Sequence, residues 1–167
     1  EQALNAARIV GMLLGLAGVA AAGIPDEVAS TATSNGGTVM ITPQGQGGSI
    51  FDAGAEITVT VRDVGGIPIP NYPFQDVWVG HPGDNSIVLC QGGSVADANT
   101  DAAGVTTIGG VVSGGGSSAT TKVWINGTAL AGPALTLSMN SPDITGDLVV
   151  DLFDFNIFGA DYGGAQF

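Results

Sequence analysis

Six oxygen-bearing positions near the C-terminus carry the clearest chemistry in the chain: Asp143, Thr145, Asp147, Val149, Asp151 and Asp154. Counted from Asp143, they occupy positions 1, 3, 5, 7, 9 and 12 of a twelve-residue segment. That is the spacing at which a calcium loop presents its oxygens, position 7 through a backbone carbonyl, here that of Val149. Hard divalent cations want several oxygen ligands, and four carboxylates and a hydroxyl fall where they are needed, so calcium is the expected ion. Odd spacing early in the segment turns alternate side chains inward. The last ligand stands at the start of a helix, expected over 151–158, with Leu152, Phe155 and Phe158 on one face and Gly163-Gly164 ending it. Val150 is the apolar residue that packs the loop. Leu148 takes position 6, where glycine ordinarily makes the sharp bend, so a distorted loop or weaker metal binding is expected. The blander reading is an acidic turn in which Asp151 or Asp154 only stabilises a helix N-terminus.

Other reactive side chains are sparse. His81 is the only histidine and has no second imidazole for a zinc site; it is expected in an exposed turn, His81-Pro82-Gly83-Asp84. Cys90 is the only cysteine, so no intramolecular disulfide forms, and it reads as a small buried apolar residue. Gly114-Gly115-Gly116 is followed by no lysine and no helix signal, which excludes a phosphate loop and leaves a turn. Trp78, Trp124 and Phe74 read as packing residues before they read as the lining of a ligand groove. No catalytic constellation emerges, and the chain is not expected to be an enzyme.

Composition narrows the partners. Three Lys+Arg face fifteen Asp+Glu in 167 residues, a net charge of -12. Such a surface repels nucleic-acid phosphates and anionic membranes and suits cations. With 44% apolar residues the chain can bury a core, and its 28 glycines point to many turns.

Residues 1–25 differ from the rest. Arg8 precedes an apolar run from Ile9 to Val19 and an Ala20-Ala21-Ala22 stretch, the pattern of an export signal cut after Ala22. Retained, the same residues make an apolar helix buried in a membrane or between subunits, the one route to a membrane (residues 9–25). Residues 26–37 are polar and Gly-rich and read as a linker. From residue 38 to 139 the period becomes two: Ile57, Val59 and Val61 point one way, Leu135, Leu137 and Met139 alternate with Thr136 and Ser138, and Val123 and Ile125 alternate with Lys122 and Trp124. Further strand-like runs lie at 38–42, 76–79, 86–90 and 105–112. Turn signals separate them, including Gly65-Gly66, Gly92-Gly93 and the tight-turn pair Asn126-Gly127. The expected fold is mainly β: an antiparallel sandwich flanked by the N-terminal apolar segment and, over 140–167, the loop and helix.

Two segments of the middle region resemble bacterial immunoglobulin-like domains of the invasin type. One is Glu56-Ile57-Thr58-Val59-Thr60-Val61-Arg62-Asp63 leading into Gly66-Ile67-Pro68-Ile69-Pro70; the other is Thr100-Asp101-Ala102-Ala103-Gly104-Val105-Thr106-Thr107. The segment 140–163 resembles one repeat of a type I dockerin, whose loop closes on Asp where EF-hands use Glu. The first resemblance implies a spacer or binding module of a surface protein, without catalysis. The second implies calcium binding, although dockerins that bind cohesins carry two repeats. The expectation is therefore a secreted structural or adhesive protein of the extracellular space or cell surface, a calcium-stabilised filament subunit that self-associates or binds another surface protein. The alternative is a calcium-dependent module docking onto a cohesin-like partner.

Overall fold

The computed structural model describes residues 23–164. The expected signal-like segment lies almost wholly outside them. Among the described residues, no helix is long and apolar enough to cross a membrane.

Ten short strands form the body: β1 Thr31–Ser34, β2 Gly37–Met40, β3 Ile57–Thr60, β4 Val77–Gly80, β5 Ile87–Leu89, β6 Val105–Ile108, β7 Gly114–Ser118, β8 Lys122–Ile125, β9 Thr128–Ala129 and β10 Leu137–Asn140. One helix follows, α1 Leu152–Gly164. One sheet has the order β1-β3-β6, antiparallel throughout. A four-stranded sheet, β2-β10-β7-β5, and a second three-stranded sheet, β4-β8-β9, share a long hairpin. Its first arm is β7 and β8; its second is β9 and β10, joined by the pairings Trp124↔Ala129, Thr121↔Leu135 and Met139↔Ser118. Across the first arm lie β4, opposite β8, and β5, opposite β7. At the far edge β2 runs parallel to β10. The opening segment thus gives β1 to the first sheet and β2 to the four-stranded one, crossing between them at Gly36. Together with three antiparallel strands facing the hairpin-linked sheets, this makes an immunoglobulin-like sandwich.

Alternation explains the core. Ile57, Val59 and Val61 are fully buried while Thr58 is exposed; Leu137 and Met139 are fully buried across the same interior, with Val77, Val79, Val123 and Ile125. A period of two on a strand sends one set of side chains inward, and burial of branched aliphatics supplies the main stabilisation.

Two turns follow their chemistry closely. In Asp101–Val105 the Asp101 carboxylate accepts from the Ala103 and Val105 amides at 2.8 and 2.9 Å, and Gly104 adopts φ +74°. A β-carbon at Gly104 would stand 2.6 Å from the Val61 carbonyl, so the turn requires glycine twice over. Asn126-Gly127, with φ of 50° and 81°, closes the β8–β9 hairpin as its sequence demands.

Two expectations are corrected. The stretch read as a linker, 26–37, contains β1 and the first residue of β2, and Ser30 within it is buried. Its Gly and Thr content masked a short edge strand with half-buried side chains. The glycine run 114–116 forms most of β7, a strand with neighbours on both sides.

Candidate functional site

The end of β10 leads into the acidic loop, and the glycines of β7 seat it. The Gly116 amide donates to the Asp143 carbonyl at 2.8 Å, and the Ser141 hydroxyl accepts from the Asp143 amide at 3.1 Å. Beneath the Asp143 side chain lies Gly115. A β-carbon there would run into the carboxylate, coming within 2.6 Å of its Cγ. The absence of a side chain at Gly115 therefore makes room for Asp143, which is fully buried.

The loop winds around that carboxylate. Asp143 Oδ1 accepts from the Gly146 amide at 2.8 Å and the Asp147 amide at 3.2 Å, and Oδ2 accepts from the Leu148 amide at 2.8 Å. Leu148 sits at φ +68°, so the bend expected of glycine is made by leucine. A branched residue in the left-handed region costs about 1–2 kcal/mol. Its amide's bond to a charged oxygen is of the same order and opposes that cost.

Asp154 is the second buried carboxylate, 2% exposed. Its Oδ1 accepts from the Thr145 amide at 2.9 Å, and its Oδ2 accepts from the Asp151 amide at 2.9 Å. Asp151 Oδ1 accepts in turn from the Phe153 amide at 2.7 Å. These two bonds satisfy amides at the N-terminus of α1, the Asp154 bond as in a capping box and the Asp151 side chain on the Phe153 amide. The Thr145 hydroxyl lies 3.1 Å from Asp154 Oδ1 and 3.3 Å from Asp143 Oδ1. A hydroxyl has one proton, so it donates to only one of the two carboxylates at a time.

Six positions were expected to ligate, and the structure brings three of them together: Asp143, Thr145 and Asp154. Asp147 is exposed and its Oδ1 accepts from the Val149 amide at 2.9 Å; Asp151 is exposed and caps the helix. Among the described residues, no three His, Cys, Asp or Glu side chains gather closely enough to hold a metal ion between them. Sequence reasoning did not single out Gly115, Gly116 or Ser141 for this site. The usable signal was three consecutive glycines inside a region of strand periodicity, where a close approach is their commonest reason.

The Asp151 amide, then the Thr145 amide and hydroxyl, hold the Asp154 carboxyl below the usual carboxylate range, against the opposing effect of burial. A depressed folded value means that Asp154 contributes stability at pH above the unfolded value of about 3.9, and that this is lost as pH falls through the lower folded value. Helix ellipticity and amide protection over 145–154 are therefore expected to stay flat from about pH 8 to pH 5 and to fall only below about pH 4.

The remaining candidates resolve into packing. Trp78 and Trp124 face each other across β4 and β8 with centroids 6.5 Å apart and planes 8° from parallel. His81 is half-buried with its ring 4.8 Å from that of Trp124, and its Nδ1 accepts from the Gly83 amide, in a turn whose Gly83 and Asp84 are exposed. Cys90 is half-buried and its thiol donates to the Pro43 carbonyl at 3.2 Å.

Beside the loop, a groove of about 470 Å³ runs between α1 and the β2–β10 edge, lined among others by Met40, Pro142, Ile144, Val150, Phe155 and Phe158. The helix above it is largely uncovered: Leu152, Phe153, Phe155 and Phe158 are 68, 71, 65 and 56% exposed.

No protein-family model matches the chain, and no curated protein matches it. Among solved structures, the crystal structure of the Lin-41 filamin domain is similar at a TM-score of 0.35 and 18% identity, over 70% of this chain and 95% of that one. A likeness at that level bears on neither ligand nor partner.

Proposed function

We propose that this chain is a secreted structural or adhesive domain of the cell surface, a subunit of an extracellular filament, and that its C-terminal loop takes a calcium ion which locks the tail to the sandwich. One observation carries the calcium reading: two buried carboxylates, Asp143 and Asp154, meet at the Thr145 hydroxyl, and the donors that reach them are neutral amides and that one hydroxyl. Buried charge is costly unless it is compensated. The two cationic side chains of the described residues are engaged elsewhere, Arg62 with the Gly66 carbonyl and Lys122 with the Leu130 carbonyl. A divalent cation among Asp143, Thr145 and Asp154 would supply the missing charge. The Asp147 and Asp151 carboxylates and the Val149 carbonyl are the further oxygens within the same loop, and calcium accepts such a mixed oxygen set. The left-handed Leu148 supports the reading, because it supplies the bend that a loop of this kind needs.

Export is supported by the Arg8 and Ile9–Ala22 pattern, and a structural role by the acidic, glycine-rich sandwich. A second reading, a calcium-dependent module docking on a cohesin-like partner, is favoured by the exposure of α1.

Calorimetry with Ca²⁺ tests the metal. Heat of binding is expected, with a higher melting temperature in calcium than in chelator. The variant Asp147→Ala removes one exposed hydrogen bond, so its stability in chelator is expected within about 0.5 kcal/mol of the parent, while its calcium affinity falls at least roughly tenfold. No heat, together with an unchanged melting temperature, removes calcium from the account.

A further inference from the structure

The structure assigns a separate binding site to the outer face of β4: a hollow of about 260 Å³ that takes one ring of a neutral saccharide. Gln75, Trp78, Gln91 and Ser94 line it, and no charged side chain does. None of its residues belongs to the acidic loop, so it goes beyond the calcium reading and does not depend on it.

The fold fixes the aromatic wall in advance. Alternation along β4 sends Val77 and Val79 into the core and leaves Trp78 outside, half-buried. Trp78 has Trp124 of β8 on one side and Val95 on the other. The Trp124 ring is held twice. Its Nε1 donates to the His81 carbonyl at 3.2 Å, and it lies against Gly80, where a β-carbon would stand 3.2 Å from it. Trp78 stacks on Trp124 with the planes 8° apart, so little orientational freedom is left to lose when a ligand binds. The hollow lies on the Val95 side. Gln91 reaches it from the second position of a turn, closed by the Gly93 amide on the Cys90 carbonyl at 2.9 Å, with Gly92 at the φ of +74° that such a turn requires. Gln75 comes from the single helical turn Phe74–Asp76 that leads into β4.

The chemistry of the wall selects the occupant. An indole face is electron-rich and attracts the weakly positive C–H groups on one side of a sugar ring. Each carboxamide offers two donors and an acceptor, the mixture that sugar hydroxyls, themselves donors and acceptors, can use. Among the described residues the sealed hydroxyls without a partner are those of Ser86 and Thr121. The Ser94 hydroxyl also bonds to nothing there but is not sealed. Since Ser94 is only 7% exposed, the space it opens onto is the hollow it lines. A polar atom so placed calls for a partner, and a ligand hydroxyl supplies one. An uncharged wall in a chain of net charge -12 disfavours acidic sugars. Size disfavours a peptide. A proline-rich segment docks along an extended aromatic-lined groove, whereas this hollow has one aromatic ring and is small for a ligand pocket.

NMR titration of the full chain in chelator tests the site. The probes are methyl β-glucoside, methyl β-galactoside and methyl β-N-acetylglucosaminide, with glucuronate as the acidic control and a proline-rich peptide as the other. At least one neutral glycoside is expected to shift the Trp78 indole signal and the side-chain amide signals of Gln75 and Gln91. The expected dissociation constant for a single ring is on the order of 1–10 mM, the same in calcium as in chelator. Cys90 lies in the same wall, so its alkylation by iodoacetamide is expected to slow as the sugar binds. Trp78→Ala is expected to weaken binding at least roughly tenfold. Gln91→Ala changes an exposed turn residue and is expected to weaken binding roughly threefold to tenfold with melting unchanged, so it carries the test if the tryptophan variant fails to fold. No shift at about 50 mM glycoside, binding indifferent to both variants, or signals moved only by glucuronate or only by the peptide would each overturn the assignment. Sugar binding without calcium heat would remove the metal and leave this site standing.

Discussion

Replacing Asp143 by alanine is expected to release the C-terminal loop from the sandwich at a cost of about 3 kcal/mol. The carboxylate is fully buried and accepts from three backbone amides, those of Gly146, Asp147 and Leu148. Alanine leaves those amides without an acceptor and exposes the left-handed strain at Leu148 with nothing to hold it. The loss is local. The core residues of β3, β4, β8 and β10 make no use of Asp143, so the denaturation midpoint followed by Trp78 and Trp124 fluorescence is expected to move little. Amide exchange at 146–148 is expected to accelerate by roughly a hundredfold, the factor equivalent to about 3 kcal/mol. Exchange unchanged in the variant would mean that the loop is held by something other than this side chain.

Spacing made the acidic segment readable and could not reveal what the structure adds to it. Positions 1 and 12, Asp143 and Asp154, do converge, and the helix begins where the last of them falls. The pattern alone did not separate a ligand from a cap. Asp151 satisfies both descriptions, since a residue at the start of a helix has amides to satisfy whether or not an ion is near. Leu148 shows the limit from the other side. Its identity argued against the bend, yet three amide bonds to one buried carboxylate outweigh a backbone preference of about 1–2 kcal/mol. Such tertiary compensation has no trace in the local sequence.

The sandwich was legible where side chains alternate and opaque where glycine replaces them. Ile57-Thr58-Val59-Thr60 and Leu137-Ser138-Met139 wrote their inward faces plainly, and both are core strands. In β7, glycines at 114–116 carry no periodicity, although the strand pairs with both β10 and β5. β1 was missed for a related reason. It lies at a sheet edge with half-exposed, half-buried positions, so its residues look like those of a connector. Strand order was unreadable throughout, because the crossing of the opening segment between sheets depends on partners distant in sequence, Thr60 for β1 and Leu137 for β2.

Gly115 is where these two themes meet, and a double-mutant cycle reads its role. Gly115→Ala alone is expected to cost about 2–3 kcal/mol, because its new methyl group meets the Asp143 carboxylate. That carboxylate cannot swing aside, since amides pin both of its oxygens. Combined with Asp143→Ala, the same methyl enters space that the carboxylate has vacated. The double variant is therefore expected to be no less stable than Asp143→Ala alone, a coupling of about 2 kcal/mol in place of additivity. Circular dichroism of α1 and amide exchange across 116 and 146–148 report the two singles and the double on one scale. Additive costs would mean that Gly115 is required by the backbone of β7 itself. Coupling would mean that the glycine run is there to make room, and that the recess in the sandwich and the acidic loop above it are one construction.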